Sequence, residues 1–335
     1  MGDAETATPP GGIRRAVVAG GSGAIGRMFT ELLVGSGVSV CVVDPQPPAS
    51  TQPGVRWIAG DIRAPGEGEG DGVGAELARV DLLLLAVPEP VAVAAVPALM
   101  DVLPARALLA DTLSVKGRMA TAVRGYHGRQ AVSVNPMFAP ALGMRGRPVA
   151  AVTLHDGPLV DELLALVEAH GGRVVRMDAA RHDRLAAASQ ALTHATVLAF
   201  GHALRTLDAD VDQLIAVAPP PHATLLALLA RISSGVPEVY WDVQSGNPLT
   251  ADVHEALARG VEHLRNVVGS GDAAAFEGLL SDVAGVLGDR SRSLEDICAQ
   301  MFASASLVSA EQSASPPKSL APSSDRREGN GKSRE

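Results

Sequence analysis

The segment Gly21-Ser22-Gly23-Ala24-Ile25-Gly26 spaces three glycines as G-x-G-x-x-G, and an acidic residue, Asp44, follows at the separation where such loops place one. Alone, the glycine pattern is a weak signal. Here an apolar run, Ala16–Ala19, leads into it, and a stretch with helical apolar spacing, Ile25 to Val34, leads out. In that setting each residue has a physical task. Gly21 permits the tight turn, Gly23 lets the backbone approach a pyrophosphate, and Gly26 lets helix and strand pack closely. Ser22, Ala24 and Ile25 carry the chain into the helix N-terminus, where the pyrophosphate charge rests. Asp44 can accept hydrogen bonds from a ribose 2′-hydroxyl and would repel a 2′-phosphate, which points to NAD rather than NADP. The alternatives are a glycine turn that binds nothing, or NADP should Arg14 and Arg56 lie near.

Further along, other residues have types suited to chemistry. Ser114 and Lys116 lie in Asp111-Thr-Leu-Ser-Val-Lys116, and Asn135 heads Asn135-Pro-Met-Phe. Gln190 and His194 are four apart, so on a helix they share one face. His222 follows three prolines, and Arg231 follows the apolar stretch Leu225–Ala230. Each has a structural alternative. A serine after a strand often caps a helix. A lone histidine on an apolar helical face is commonly a satisfied core residue. Arg231 could form a surface ion pair, and His222 could simply start a helix. Trp241 and Asp242 are expected to pack and to cap.

The elements that must position these residues alternate. Val38–Val43 forms a second strand ending at Asp44, Asp81–Val87 is a continuous apolar run, and Ala107–Ala110 runs into Asp111. Ala131–Val134 and Pro148–Thr153 complete the strands. Continuous apolar strands are buried on both faces, and strands alternating with helices imply βαβ units. Pro45 to Gly54 is turn-rich, and the glycine-acid loop Glu67–Gly74 is expected to be mobile. After Val174 the pattern becomes helical over Ala179 to Leu207, Val211 to Val217, Pro221 to Ser233 and Thr250 to Val268. The expected fold is therefore α/β: a Rossmann-type, doubly wound parallel sheet over 12–174, followed by an all-α domain over 175–310. Residues 311–335 are rich in Ser, Pro, Lys, Arg and Gly and are expected to be disordered. Helices such as Gln190–Leu204 carry more apolar face than one small bundle buries, which favours a dimer through the helical domain.

The 335 residues are 47% hydrophobic with a net charge of −9, enough apolar chain for two cores and the wrong sign for general binding to nucleic acid or anionic membranes. Cys41 and Cys298 form neither a disulfide framework nor a zinc pattern. Met1 to Gly12 is polar, and the apolar runs stop well short of the roughly 18 residues of a membrane span. A soluble, cytoplasmic protein with no metal and no appended regulatory domain is expected.

Taken together, Asp81-Leu-Leu-Leu-Leu-Ala-Val-Pro88, Ala110-Asp-Thr-Leu-Ser-Val-Lys-Gly117, Asn135-Pro-Met-Phe-Ala-Pro140, Gln190-Ala-Leu-Thr-His-Ala195 and Leu229-Ala-Arg-Ile232 resemble, in order and spacing over residues 14 to 270, the prephenate and arogenate dehydrogenase family. The resemblance implies oxidation of a cyclohexadiene dicarboxylate. Hydride leaves C4 for NAD, the ring carboxylate leaves as CO2, and the ring becomes aromatic. It implies that Val87 and Pro88 line the cofactor, that Ser114 sits beside the C4 substituent and that Lys116 supports that turn against the substrate. It implies further that His194, Gln190 and His222 hold the substrate and that Arg231 pairs with a substrate carboxylate, where a bidentate fork suits a dianion.

One residue departs from the family. Its usual members have a catalytic histidine before Pro-Met-Phe, accepting the C4 hydroxyl proton, where this chain has Asn135. Asparagine hydrogen-bonds but takes no full proton near neutral pH. Loss of such a base costs about 10²–10⁴-fold in rate. An amine at C4, once neutral, expels hydride with its own lone pair and needs only an acceptor to orient N–H. Asn135 to Met144, Ala218 to His222 and Pro237 to Gln244 look like the amine-handling branch, the 4-amino-4-deoxyprephenate dehydrogenases of antibiotic pathways. The alternatives are prephenate or arogenate oxidation in tyrosine biosynthesis, and a relative that binds NAD without chemistry. A short-chain reductase is disfavoured because Tyr126 and Tyr240 have Gln130 and Gln244, not lysine, four residues on. A β-hydroxyacid-type dehydrogenase is disfavoured because residues 176 to 310 contain no lysine.

Overall fold

Leu82, Leu83, Leu84 and Leu85 are all fully buried, although they point alternately to opposite faces of one strand. Such a strand needs cover on both faces, the condition of a parallel sheet layered by helices. The computed structural model describes residues 12–46, 52–66 and 72–313. Its strands are β1 (Arg15–Ala19), β2 (Ser39–Asp44), β3 (Arg56–Ala59), β4 (Leu82–Leu85), β5 (Leu108–Asp111), β6 (Gln130–Pro136), β7 (Pro148–His155) and β8 (Arg173–Arg176). They form one sheet in the order β3-β2-β1-β4-β5-β6-β7-β8.

Helices α1 (Ala24–Gly35), α2 (Val73–Leu77), α3 (Glu89–Val102), α4 (Gly117–Val123) and α5 (Pro158–Ala169) connect the strands. Alternation along β1 decides which helix each side chain meets. Ala16 and Val18 join Phe29 and Leu33 of α1 and Leu163 of α5 in one core layer. Val17 and Ala19 join Ala95 and Leu99 of α3 and Met119 of α4 in the other. Strand order reverses at β1, which has β2 on one side and β4 on the other. Ligands of such sheets bind outside the carboxyl ends of the strands at that point. Strands β1 to β6 are mutually parallel, so the loop after β1, Asp44, Ala86–Pro88, Asp111–Lys116 and Asn135 all lie along one edge of the sheet.

The sheet departs from uniform parallel order at its far side. β7 runs antiparallel to β6, and β8 pairs parallel with β7. β3 and β8 were not expected from the sequence. Each has only four residues, with an arginine at its start and two half-buried residues at its centre, too short a pattern to read. The predicted loop Glu67–Gly74 overlaps α2 at its end, and its Glu67–Asp71 part lies outside the described residues.

The remaining helices are α6 (Ala179–Ala186), continued through a π-helical turn (Ala187–Ala191) into α7 (Leu192–Thr206), then α8 (Val211–Val217), α9 (Pro220–Ser233), α10 (Pro237–Gly246), α11 (Thr250–Ser270), α12 (Ala273–Leu287) and α13 (Ser291–Ser313). Asp178, Asp210 and Asp272 cap α6, α8 and α12 by accepting backbone N–H bonds. Helices α10, α12 and α13 add to those expected. Trp241 on α10 is 68% exposed rather than packed, and Asp242 lies inside that helix rather than at its cap. The predicted tail from 311 onward lies outside the described residues beyond Ser313.

The chain divides into two compact units. One comprises Met1–Ala199 and Ser234–His263, the other Phe200–Ser233 and Leu264–Glu335. In the second unit α12 exposes Phe276, Leu280, Val283 and Leu287, spaced as one helical stripe. Among the described residues no helix is long and apolar enough to cross a membrane.

Candidate active site

The glycine loop is built by close packing. Gly20 has φ +82°, and a Cβ there would lie 2.2 Å from the Ala86 carbonyl oxygen and 2.9 Å from Val87. A Cβ on Gly26 would lie 2.3 Å from the Gly20 carbonyl oxygen, and one on Gly21 2.4 Å from Val42. The left-handed turn thus belongs to Gly20, while Gly21 is required by its contact with β2 and Gly26 by helix–strand packing, as the spacing implied. At Gly23 a Cβ would meet only the Gly20 oxygen, at 3.3 Å. Helix α1 has no side-chain cap and no acidic residue in its first turn, Ala24 to Arg27. Its first-turn N–H groups are therefore left uncapped by any side chain of the cap residue at the positive dipole end, an arrangement suited to an anion. Asp44 ends β2, where it binds Ser22: Oδ2 accepts from the Ser22 N–H (3.1 Å) and from its hydroxyl, and Oδ1 accepts from the Gln46 N–H (3.0 Å). Val87 is half-buried beside the loop, and Pro88 caps α3. These residues fit a dinucleotide: a tight glycine cradle, an uncapped helix N-terminus and a carboxylate at the end of the next strand.

A second cluster lies past β5 and β6. Lys116 is fully buried, its Nζ donating to the carbonyls of Leu113 (2.5 Å) and Val134 (3.0 Å) and lying 3.6 Å from Asp111 Oδ1. Burial lowers the Lys116 ammonium to about 8, against the pull of Asp111 and Asp183. Asp111 also accepts from the Ser133 hydroxyl (2.5 Å) and the Leu113 N–H (3.1 Å), and burial raises its carboxyl. With its ammonium engaged in this way, Lys116 does not reach a substrate. It pins the Asp111–Lys116 turn to β6, a correction to its expected binding role.

From the middle of α6, Asp183 reaches this turn. Its Oδ1 accepts the Lys116 N–H (2.9 Å) and its Oδ2 the Gly117 N–H (3.0 Å), so Asp183 caps α4 across more than sixty residues. Ser114, half-buried in the bend before α4, makes no such cap. His182 Nδ1 lies 2.9 Å from Asp183 Oδ1, and its Nε2 lies 3.2 Å from Asn135 Nδ2. Burial lowers the His182 pKa, outweighing Asp183. Burial raises Asp183, but the bonds from His182, Lys116 and Gly117 overcome it and hold the carboxyl low.

The π-helical turn between α6 and α7 contains Gln190, whose buried Oε1 has no hydrogen-bond partner among the described residues. Such turns often occur at functional sites. Gln244 of α10 donates to the Ala191 carbonyl at 2.9 Å. His194 packs edge-on against Tyr240, with ring centroids 5.0 Å apart at 70°. In the second unit, His222 lies in the first turn of α9, 5.6 Å from the Phe200 ring and edge-on to it, and Arg231 lies exposed in its last turn.

A family model described as prephenate dehydrogenase, dimerization domain, matches residues 178–282. The 4-amino-4-deoxyprephenate dehydrogenase of Streptomyces pristinaespiralis is 52% identical over 289 residues, covering 86% of this chain and 96% of that protein. The chain belongs to the prephenate dehydrogenase family. A probable arogenate/prephenate dehydrogenase of Methanocaldococcus jannaschii is 22% identical, with 82% of this chain and 61% of that protein covered. In fold, the chain is similar to the prephenate dehydrogenase of A. aeolicus solved with hydroxyphenyl propionate and NAD+ (TM-score 0.60, 18% identity, 82% of this chain and 98% of that one). An arogenate dehydrogenase of Synechocystis is similar as well (TM-score 0.58, 15% identity, 81% and 98%).

Within this dehydrogenase fold, the structure brings Asn135 and the turn holding Ser114 and Lys116 to one network, and adds Asp111, Ser133, His182 and Asp183, which the motifs did not single out. The mark that His182 and Asp183 leave in the sequence is an adjacent His-Asp pair followed by Ala186-Ala-Ala188. Glu89, directly after Pro88, was also missed. It is buried, burial raises its carboxyl against Arg118, 3.5 Å away, and its Oε1 has no hydrogen-bond partner among the described residues.

Proposed function

We propose that this chain catalyses NAD-dependent oxidative decarboxylation of 4-amino-4-deoxyprephenate to 4-aminophenylpyruvate, as a cytoplasmic enzyme supplying an antibiotic precursor. The observation that carries the reading is the 52% identity, over 96% of its length, to a relative bearing that substrate in its name. Asn135 supports it, since it stands where the family resemblance expects a proton-accepting histidine.

NAD, when bound in the glycine cradle, supplies the hydride acceptor. Gly21, Ser22, Gly23, Ala24, Ile25 and Gly26 would hold its pyrophosphate and Asp44 its ribose, with Val87 and Pro88 also lining the cofactor. The chain's own residues orient the diene. Ser114 and Asn135 address the C4 substituent, His194, Gln190 and His222 hold the ring, and Arg231 pairs with a carboxylate. The neutral C4 amine pushes hydride out through its lone pair. The electrons of the breaking C–CO2 bond then return to the ring, leaving an arylamine. A neutral amine loses no proton in this sequence, so the site needs an acceptor that orients N–H and no general base.

Residues 12–174 form the cofactor domain and 175–310 the substrate domain of a homodimer. The uncovered stripe of Phe276, Leu280, Val283 and Leu287 suits a second copy of this chain. The experiment is NADH formation with 4-amino-4-deoxyprephenate and with prephenate, side by side. Preference for the amine supports the reading, and preference for prephenate returns the protein to tyrosine biosynthesis.

A further inference from the structure

The polarity of the Asn135 side chain is set from outside the residue. Asp183 accepts the N–H groups of Lys116 and Gly117, backbone amides that cannot reverse direction. Two fixed N–H donors, one on each oxygen, hold Asp183 as a carboxylate, which presents only acceptors. The nitrogen facing it, His182 Nδ1 at 2.9 Å, therefore carries a proton. Burial keeps the ring neutral, so Nε2 holds a lone pair. The Asn135 atom 3.2 Å from that lone pair must then be the donor, Nδ2. Turned the other way, the amide would set Oδ1 against Nε2, two acceptors in a buried contact.

We propose that His182, held by Asp183, is a positioning and specificity-determining residue that locks the Asn135 amide with Oδ1 as the end offered to the substrate. This rests on the reading that Asn135 meets the C4 substituent. An amine whose lone pair expels hydride must keep that pair unshared, and Oδ1 can only accept from its N–H. An amide turned to offer Nδ2–H would tie up the same lone pair and suppress hydride loss. A hydroxyl gains less from Oδ1, since its proton must be removed and not merely oriented. The backbone at the head of α4 thus dictates, through Asp183 and His182, which hydrogen-bond polarity the substrate meets.

Two measurements test this. Nitrogen-15 NMR of the full-length protein at neutral pH, with the His182 signals assigned by their loss in His182→Gln, should show a protonated Nδ1 and an unprotonated Nε2. The opposite tautomer, or a doubly protonated ring, overturns the proposal, and this needs no substrate, so it stands or falls apart from the proposed activity. The second compares His182→Leu with His182→Gln, whose amide can both donate to Asp183 and accept from Asn135. In His182→Leu the ratio of kcat/KM for the amino over the hydroxy substrate should fall about tenfold, roughly one hydrogen bond, with NAD affinity unchanged. His182→Gln should recover most of that ratio. Equal losses on both substrates, or no recovery with Gln, assign His182 a purely structural role and overturn the proposal. Should His182→Leu not fold, the NMR result and His182→Gln decide.

Discussion

Lys116 Nζ lies 3.6 Å from Asp111 Oδ1, with both side chains buried between β5, β6 and the turn that leads into α4. The ammonium also bonds the carbonyls of Leu113 and Val134, so one cation ties the Ser114 turn to the strand that carries Asn135. Removing one partner of a buried pair leaves the other charge uncompensated, at about 3–5 kcal/mol. Lys116→Met should lose that much stability, read from denaturant midpoints with unchanged slope. A loss within error of zero would show that Asp111 is neutral and the pair unimportant.

The same lysine sets a pH dependence. Its folded value, lowered to about 8 mainly by burial, lies below the ordinary 10.5 it regains on unfolding. Between those values the unfolded chain binds more protons, so this group makes stability rise with pH over that window and contributes no slope below it. Denaturant midpoints on either side of pH 8 should show a rising component in the parent chain that is missing from Lys116→Met. Parallel pH profiles for the two proteins would contradict the lowered value.

How much was legible in the sequence follows from pattern strength. Leu82–Leu85 and the glycine loop were legible because a strand buried on both faces is continuously apolar and because the three glycines stand between a strand and a helix with Asp44 ending the next strand. Strands β3 and β8 were not, since Arg56-Trp-Ile-Ala59 and Arg173-Val-Val-Arg176 are short and flanked by arginine. Lys116 read as a substrate contact because a lysine's burial cannot be inferred from its type. His182 and Asp183 lie within the helical run Ala179 to Leu207, and only the fold brings them to Asn135 and the head of α4. Helix α10 was missed although Gln244 ties it to the π-helical turn, since tertiary hydrogen bonds leave no local period.

Asp44 carries a prediction about cofactor choice. Its carboxylate ends β2 beside the loop and binds Ser22. Asp44→Ser removes the acceptor for a ribose hydroxyl and the charge that repels a 2′-phosphate. NAD affinity should fall about tenfold, one charged hydrogen bond, and the preference over NADP should narrow. Ser22→Ala separates loop support from recognition, because it should weaken both cofactors alike. Fluorescence titration with each nucleotide reads both. An unchanged preference in Asp44→Ser would remove Asp44 from the ribose site.

Asn135→His restores an imidazole at the C4 position and places it against His182, 3.2 Å from the present amide nitrogen. A neutral imidazole there can take the hydroxyl proton that asparagine cannot. Activity on prephenate should rise relative to the amino substrate, by a ratio change of at least tenfold toward the general-base range of about 10²–10⁴. Steady-state kcat/KM on the two substrates measures it, and an unchanged ratio would sink the role assigned to Asn135.

Arg231 is expected to grip a substrate carboxylate from the last turn of α9. Its planar fork suits a carboxylate in two parallel hydrogen bonds, and alanine removes both. Because that contact is present before and after hydride transfer, its loss raises KM while leaving kcat nearly intact. Charge-assisted bonds are worth about 1.5–3 kcal/mol, so Arg231→Ala should raise KM by about ten- to a hundredfold. Lysine should recover only part of the loss, since it offers a point charge without the fork. The control is NAD affinity, which should stay within a factor of about two. Should the affinity for NAD fall as far as that for the substrate, Arg231 supports the cofactor or the fold, and the carboxylate must be held by another cation.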